Sequence, residues 1–121
     1  MLNTTYKYNN LEEAKVLAPV MDQKLTMLQK FVEEGSSVLS EVEFEKVAPG
    51  KNGAIFRVEA NITIDGKLHR AEATEESFEK AMDEVKNELD KELRRAKGKE
   101  TSMMRRAARR IKERFLGGQG M

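Results

Sequence analysis

The pair Asp65-Gly66 lies directly between two alternating runs of residues, and nothing else constrains the fold of this chain as tightly. Asp-Gly suits a two-residue type I′ turn, because both central positions need positive φ and the turn's twist matches that of paired strands. On its N-terminal side Phe56, Val58, Ala60, Ile62 and Ile64 alternate with Arg57, Glu59, Asn61 and Thr63. A period of two marks a strand with one buried face, so residues 67–74 should return beside it as an antiparallel partner. Further upstream, Val38, Val42 and Phe44 alternate with Glu41, Glu43 and Glu45, and Pro49-Gly50-Lys51-Asn52-Gly53 reads as the connecting loop. Leu2, Thr4, Tyr6 and Tyr8, set against Asn3, Thr5 and Lys7, predict one more short strand over residues 1–8.

Two stretches carry the helical period instead. Leu17, Met21, Leu25, Leu28 and Val32 form a one-sided stripe ending before Gly35, and Asn10 with Glu13 resembles a capping box at its start. Pro19 lies inside this stretch, so the regular helix should begin near it or kink there. Phe78, Ala81, Met82, Val85, Leu89, Leu93 and Ala96 predict the second helix, with Gly98 placed where a C-cap would stand. The order is β-α-β-β-β-α, an α+β fold with two helices packed on one face of a four-stranded sheet. Residues 1–98 would make this domain, and residues 99–121 a basic C-terminal extension. In the extension Met104, Ala107, Ala108, Ile111 and Phe115 could form one side of a further helix before a frayed Gly117-Gly118-Gln119-Gly120 end.

Charge is divided along the chain. Residues 1–90 hold 11 Lys and Arg against 18 Asp and Glu, whereas residues 91–121 hold 11 against 3. A basic end on an acidic domain suits a polyanion, since Lys and Arg that displace counterions from phosphates gain affinity without a sequence code. A solvated, charge-rich helix is the alternative. At 100° per residue Lys91, Arg94, Arg95 and Lys80 lie about 200°, 140°, 240° and 180° from Leu89, all turned away from the predicted core. The helix ends in Lys97 and Lys99, and the extension adds Arg105, Arg106, Arg109 and Arg110, which read as an arm ordering on RNA. A basic amphipathic helix resting on a membrane or on a partner protein is the competing reading of the extension.

At this point the residues carry a resemblance. The stretch from Phe56 to Thr74, followed by Asn87 to Arg95, resembles the hibernation-promoting factor and ribosome-associated inhibitor family, also called sigma-54 modulation proteins. The resemblance spans roughly residues 1–97 and has the same element order. It implies a cytoplasmic translation inhibitor of stressed cells, whose partner is the small ribosomal subunit and its RNA, and which sterically blocks the messenger and transfer RNA path. Carried over position by position, it points to Lys91 and Arg95, with Arg94 between them, and to Lys24 and Lys30 in the first helix. The chain departs from the family at Glu88, where Lys is common, at Glu79, where an aromatic is common, and at Pro19. The residues after Gly98 are too few to encode the separate dimerisation domain of longer members, so a short form is expected and the oligomeric state is left open.

Other function classes find less support. There is no cysteine, His69 is the single histidine, and neither a nucleophile with a base nor a Gly-rich phosphate loop is present at motif spacing. An enzyme, a cofactor, a metal and a small-molecule substrate are therefore not expected. No apolar run is long enough to span a membrane, and the first ten residues lack a leader's pattern, so the chain should be soluble. His69 should have a hydrogen-bonded or solvent-facing structural role, and Glu41, Glu43 and Glu45 should mark a strand's wet side. A double-stranded RNA-binding domain has a related element order, but it needs a basic run where this chain has Thr74-Glu75-Glu76-Ser77. A protein-interaction module acting through the amphipathic extension is the third class.

Overall fold

A computed structural model describes residues 2–9, 12–49 and 53–119, with residues 12, 13 and 115–119 described by their backbone alone. Strand β1 is Thr4–Asn9, followed by a 3-10 stretch at Glu12–Leu17, helix α1 at Ala18–Thr26 and a 3-10 turn at Gln29–Phe31. Then come β2 (Val38–Lys46), β3 (Phe56–Ile64), β4 (Lys67–Glu75) and helix α2 (Phe78–Gln119). The sheet order is β1-β2-β3-β4, with β1 parallel to β2 and the other pairs antiparallel. The parallel pair requires a crossover, which α1 and its flanking turns provide.

Alternation along the strands separates the two faces of the sheet. Val42, Phe44, Val58, Ala60, Ile62 and Ala71 are buried beneath the helices, and the intervening Glu and Arg side chains occupy the other face. The helices contribute Met21, Leu25, Leu28, Ala81, Met82, Val85, Leu89 and Leu93 to one core. Phe44 stacks on Tyr6 and Tyr8 at 6.1 and 5.7 Å between centroids, and meets Phe78 edge-on at 5.6 Å. The Tyr6 hydroxyl donates to Asp22 Oδ1 at 2.5 Å and approaches the Ala18 carbonyl at 3.2 Å, holding α1 on β1. Burial raises the Tyr6 phenol far above its ordinary range, and Asp22 adds to the effect.

The Asp65-Gly66 turn has φ of 50° and 84°, the two positive values that type I′ demands. Asp65 also ties the start of β2 to this turn: its N–H donates to the Ser37 carbonyl at 2.8 Å, and its Oδ1 accepts from the Ser37 N–H at 2.9 Å.

The regular part of the first helix begins beside Pro19 as expected, and the helices differ from expectation in two other respects. The stripe does not stay helical to Val32: α1 is nine residues long and gives way to a 3-10 turn after Thr26, as it is preceded by one before Ala18. Pro19 explains the start, since a first-turn residue has no intrahelical use for the missing N–H. Gly98 is not a C-cap. The backbone keeps helical dihedrals through it, and α2 is 42 residues long in all, about 63 Å. Gly98 without a following proline lowers helix propensity without stopping a helix flanked by Ala96, Lys97, Lys99 and Glu100. The expected capping pair at Asn10 and Glu13, the middle of the Pro49–Gly53 loop, the side chain of Phe115 and Gly120 lie outside the described residues.

Candidate nucleic-acid interface

The cations of this protein fall into two sets, according to whether an anion already holds them. On the side of α2 facing α1, Lys24 pairs with Asp83, joining the two helices. One turn from the middle of α2, Arg94 donates to Asp90 through Nε at 3.3 Å and Nη2 at 3.1 Å. Its guanidinium also lies 5.2 Å from the Phe31 ring centroid, with Lys30 Nζ at 5.3 Å from the same ring. The 3-10 turn that replaces the end of the expected first helix is what presents Phe31 to both cations.

The second set has no carboxylate within ion-pair distance among the described residues. It includes Lys91 and Arg95 on α2, Lys67 at the start of β4, and Lys97 and Lys99 where α2 passes the end of the sheet, and also Lys30 beside Phe31 and Lys80 and Lys86 on the acidic first half of α2. Lys91 lines a groove against β4 whose other walls include Glu84, Glu88 and Glu92. Lys80, also exposed, stands in the field of Glu84. From Lys97 to Arg114 every residue of α2 is exposed, so Arg105, Arg106, Arg109 and Arg110 project from a bare helix. The structure thus does not gather the twelve expected cations on one patch: Lys24, Lys30 and Arg94 face the α1 side, Lys80 stands in the first turn of α2, Lys91 faces the β4 edge, and the rest follow the helix outward.

Lys67 is a site cation that periodicity and charge runs do not mark. It belongs to a strand, and the hairpin turn brings it beside residues 30 positions later in the chain. The signal was present in the Asp-Gly-Lys order, because a tight turn fixes the first residue of the returning strand at the sheet's end.

Negative charge is ordered too. On the outer face Arg57 bonds Glu43 and Glu45 through Nη1, both at 3.1 Å, and Glu59 and Glu72 through Nη2, at 2.5 and 2.6 Å. Arg70 reaches Glu59 at 2.9 Å and Lys7 reaches Glu43 at 3.6 Å. Burial works against the Arg57 charge, but the bonds to Glu72 and Glu59 outweigh it and hold the guanidinium above its ordinary range. Arg57 holds the Glu72 carboxyl below its usual value. Glu59 is also held low: desolvation pushes it upward, and the bonds from Arg57 and Asn61 prevail. Glu84, near the start of α2, is pushed upward by desolvation and by a hydrogen bond with Glu75. The wet sheet face therefore pairs its few cations and keeps a surplus of carboxylates, α2 begins acidic, and its later turns and the hairpin end hold most of the positive charge that no acid surrounds.

His69 is buried, with Nδ1 3.3 Å from Glu92 Oε1, a structural bond between β4 and α2. No helix among the described residues is long and apolar enough to cross a membrane. The exposed extension does carry Met103, Met104 and Ile111, each more than half exposed.

The family model described as sigma 54 modulation protein / S30EA ribosomal protein matches residues 4–101. The fold is similar to the crystal structure of the Thermus thermophilus Protein Y N-terminal domain, with a TM-score of 0.61 at 20% identity over 78% of this chain and 96% of that one. It is also similar to a ribosomal subunit interface protein from Coxiella burnetii, with a TM-score of 0.62 at 16% identity over 78% and 97% of the two chains. No curated protein matches the chain significantly.

Proposed function

The chain belongs to the sigma-54 modulation protein / S30EA ribosomal protein family, and from that membership we propose that it silences ribosomes by lying on small-subunit ribosomal RNA in the messenger and transfer RNA path. The similar fold of a protein described as a ribosomal subunit interface protein supports this placement. The observation that carries the reading is the segregation of unpaired cations. Lys67, Lys91, Arg95, Lys97 and Lys99 with the arginines of the extension form a discontinuous positive track, whereas the sheet face and the start of α2 keep acid groups that would repel phosphate. Inhibition is steric, since a helix of about 63 Å fills a channel without any bond being made or broken.

Lys24 and Arg94 contribute less than the family resemblance implies, because each must exchange a carboxylate for a phosphate. Lys30 approaches RNA from beside Phe31. Lys80, near the acidic start of α2, lies at the margin of the contact.

Sedimentation through a sucrose gradient with excess ribosomes at low salt, together with a cell-free translation assay, tests the proposal. The protein should travel with small subunits or whole ribosomes, lower translation, and compete with bound transfer RNA while ribosomal RNA stays intact. Protein remaining at the top of the gradient would refute the reading. Binding to ribosomes stripped of accessible RNA would instead favour a partner protein on the apolar stripe of Met104 and Ile111.

A further inference from the structure

Where α2 leaves the sheet it overhangs the Asp65-Gly66 turn and encloses a groove. Phe31, Ile64 and Met103 supply apolar floor, and Lys67, Lys97 and Lys99 stand along the rim. Two acids, Asp65 and Glu100, also line it, so the rim keeps a surplus of one positive charge; Asp65 is tied to the Ser37 N–H, and none of the three lysines has an ion pair among the described residues. Lys30, and Arg94 with its partner Asp90, lie against the Phe31 ring at the groove's edge.

An apolar floor ringed by lysines matches a nucleotide in an extended strand. The base presents an apolar face for contact, and the phosphates on either side need cations about one nucleotide apart. A base inside an A-form duplex has both faces covered by its neighbours and cannot enter such a groove. We propose that this groove takes one unstacked base of single-stranded RNA on Phe31, Ile64 and Met103, with the flanking phosphates on Lys67, Lys97 and Lys99. It rests on the RNA-binding reading above and adds a strand preference that positive charge alone would not create.

The test uses the full chain, a labelled oligouridine of about eight nucleotides and a duplex of about 16 base pairs, followed by fluorescence anisotropy. Met103→Asn removes floor without changing charge, at a residue 61% exposed, so the fold should be unaffected and the melting temperature is the control. Oligouridine binding should fall about fivefold or more, within the range that loss of base contact gives, while duplex binding stays unchanged. Lys67→Gln should weaken oligouridine binding and flatten its salt dependence by about one phosphate. Wild-type binding of oligouridine by both variants, or equal losses on strand and duplex, would overturn the groove. Ribosome sedimentation of the unsubstituted protein keeps the two readings apart. If it sediments and the variants bind oligouridine normally, only the groove fails; if it does not sediment and the variants still lose oligouridine, the ribosomal reading fails alone.

Discussion

Arg57 is one cation among four carboxylates, and this arrangement makes its replacement a sharp test of the outer sheet face. Glu59 and Glu72 are held below the ordinary value of 4.5, so their stabilising effect is complete above about pH 4.5 and is lost as pH falls through their lowered folded values. Arg57→Gln removes the bonds that hold Glu59 and Glu72 low and leaves four carboxylates facing one another, so that protonation relieves their repulsion. Urea titrations from pH 7 to 4 should then show the slope reversed, with the variant gaining stability on acidification while the parent loses it. At pH 7 the variant should be weaker by about 1 to 3 kcal/mol, most of it from the half-buried Glu43, Glu45 and Glu59, since the exposed Glu72 is well screened. Alternation in the sequence places these residues on the wet face. It does not reveal that they converge, because that depends on the register Glu43↔Glu59 and Glu45↔Arg57, which links strands more than ten residues apart.

At the scale of elements, the strands were legible because each has a period of two closed by an unmistakable turn, and the helices less so because their ends depend on competing local costs. Gly98 reads as a stop since glycine at a helix end is common, yet a stop also needs a left-handed residue, and nothing in the neighbouring sequence demands one. A Cβ at Gly98 would meet nothing within 4 Å. Gly98→Ala should therefore favour the extended part of α2 by about 0.5 to 1 kcal/mol. The effect should appear as increased helical ellipticity and slower amide exchange in residues 99–110, with little change in the melting temperature of the core. A falling ellipticity would mean that the helix does not run through this position.

Across the whole molecule the division of charge visible in the sequence becomes a division in space, with the sheet-face acids bridged by Arg57 and Arg70 and most of the free cations along the later turns of α2. What remained hidden was which cations are free, since that follows from contacts such as Lys24 with Asp83 across 59 positions. Replacing Arg105, Arg106, Arg109 and Arg110 together by Ala should weaken ribosome binding and flatten its dependence on log salt by about 2 to 4, with the melting temperature nearly unchanged. An unaltered slope would mean that the extension touches no phosphate. The passage of α2 through Gly98 without a break also makes the aim of those arginines a matter of phase. One residue inserted at this point advances the distal screw by about 100° and points them off target, whereas a four-residue insertion comes within about 40° of the original bearing at the expense of about 6 Å of reach. A ribosome-binding activity that is lost with one inserted residue and largely recovered with four would show that the helix works as a spoke fixed at its hub.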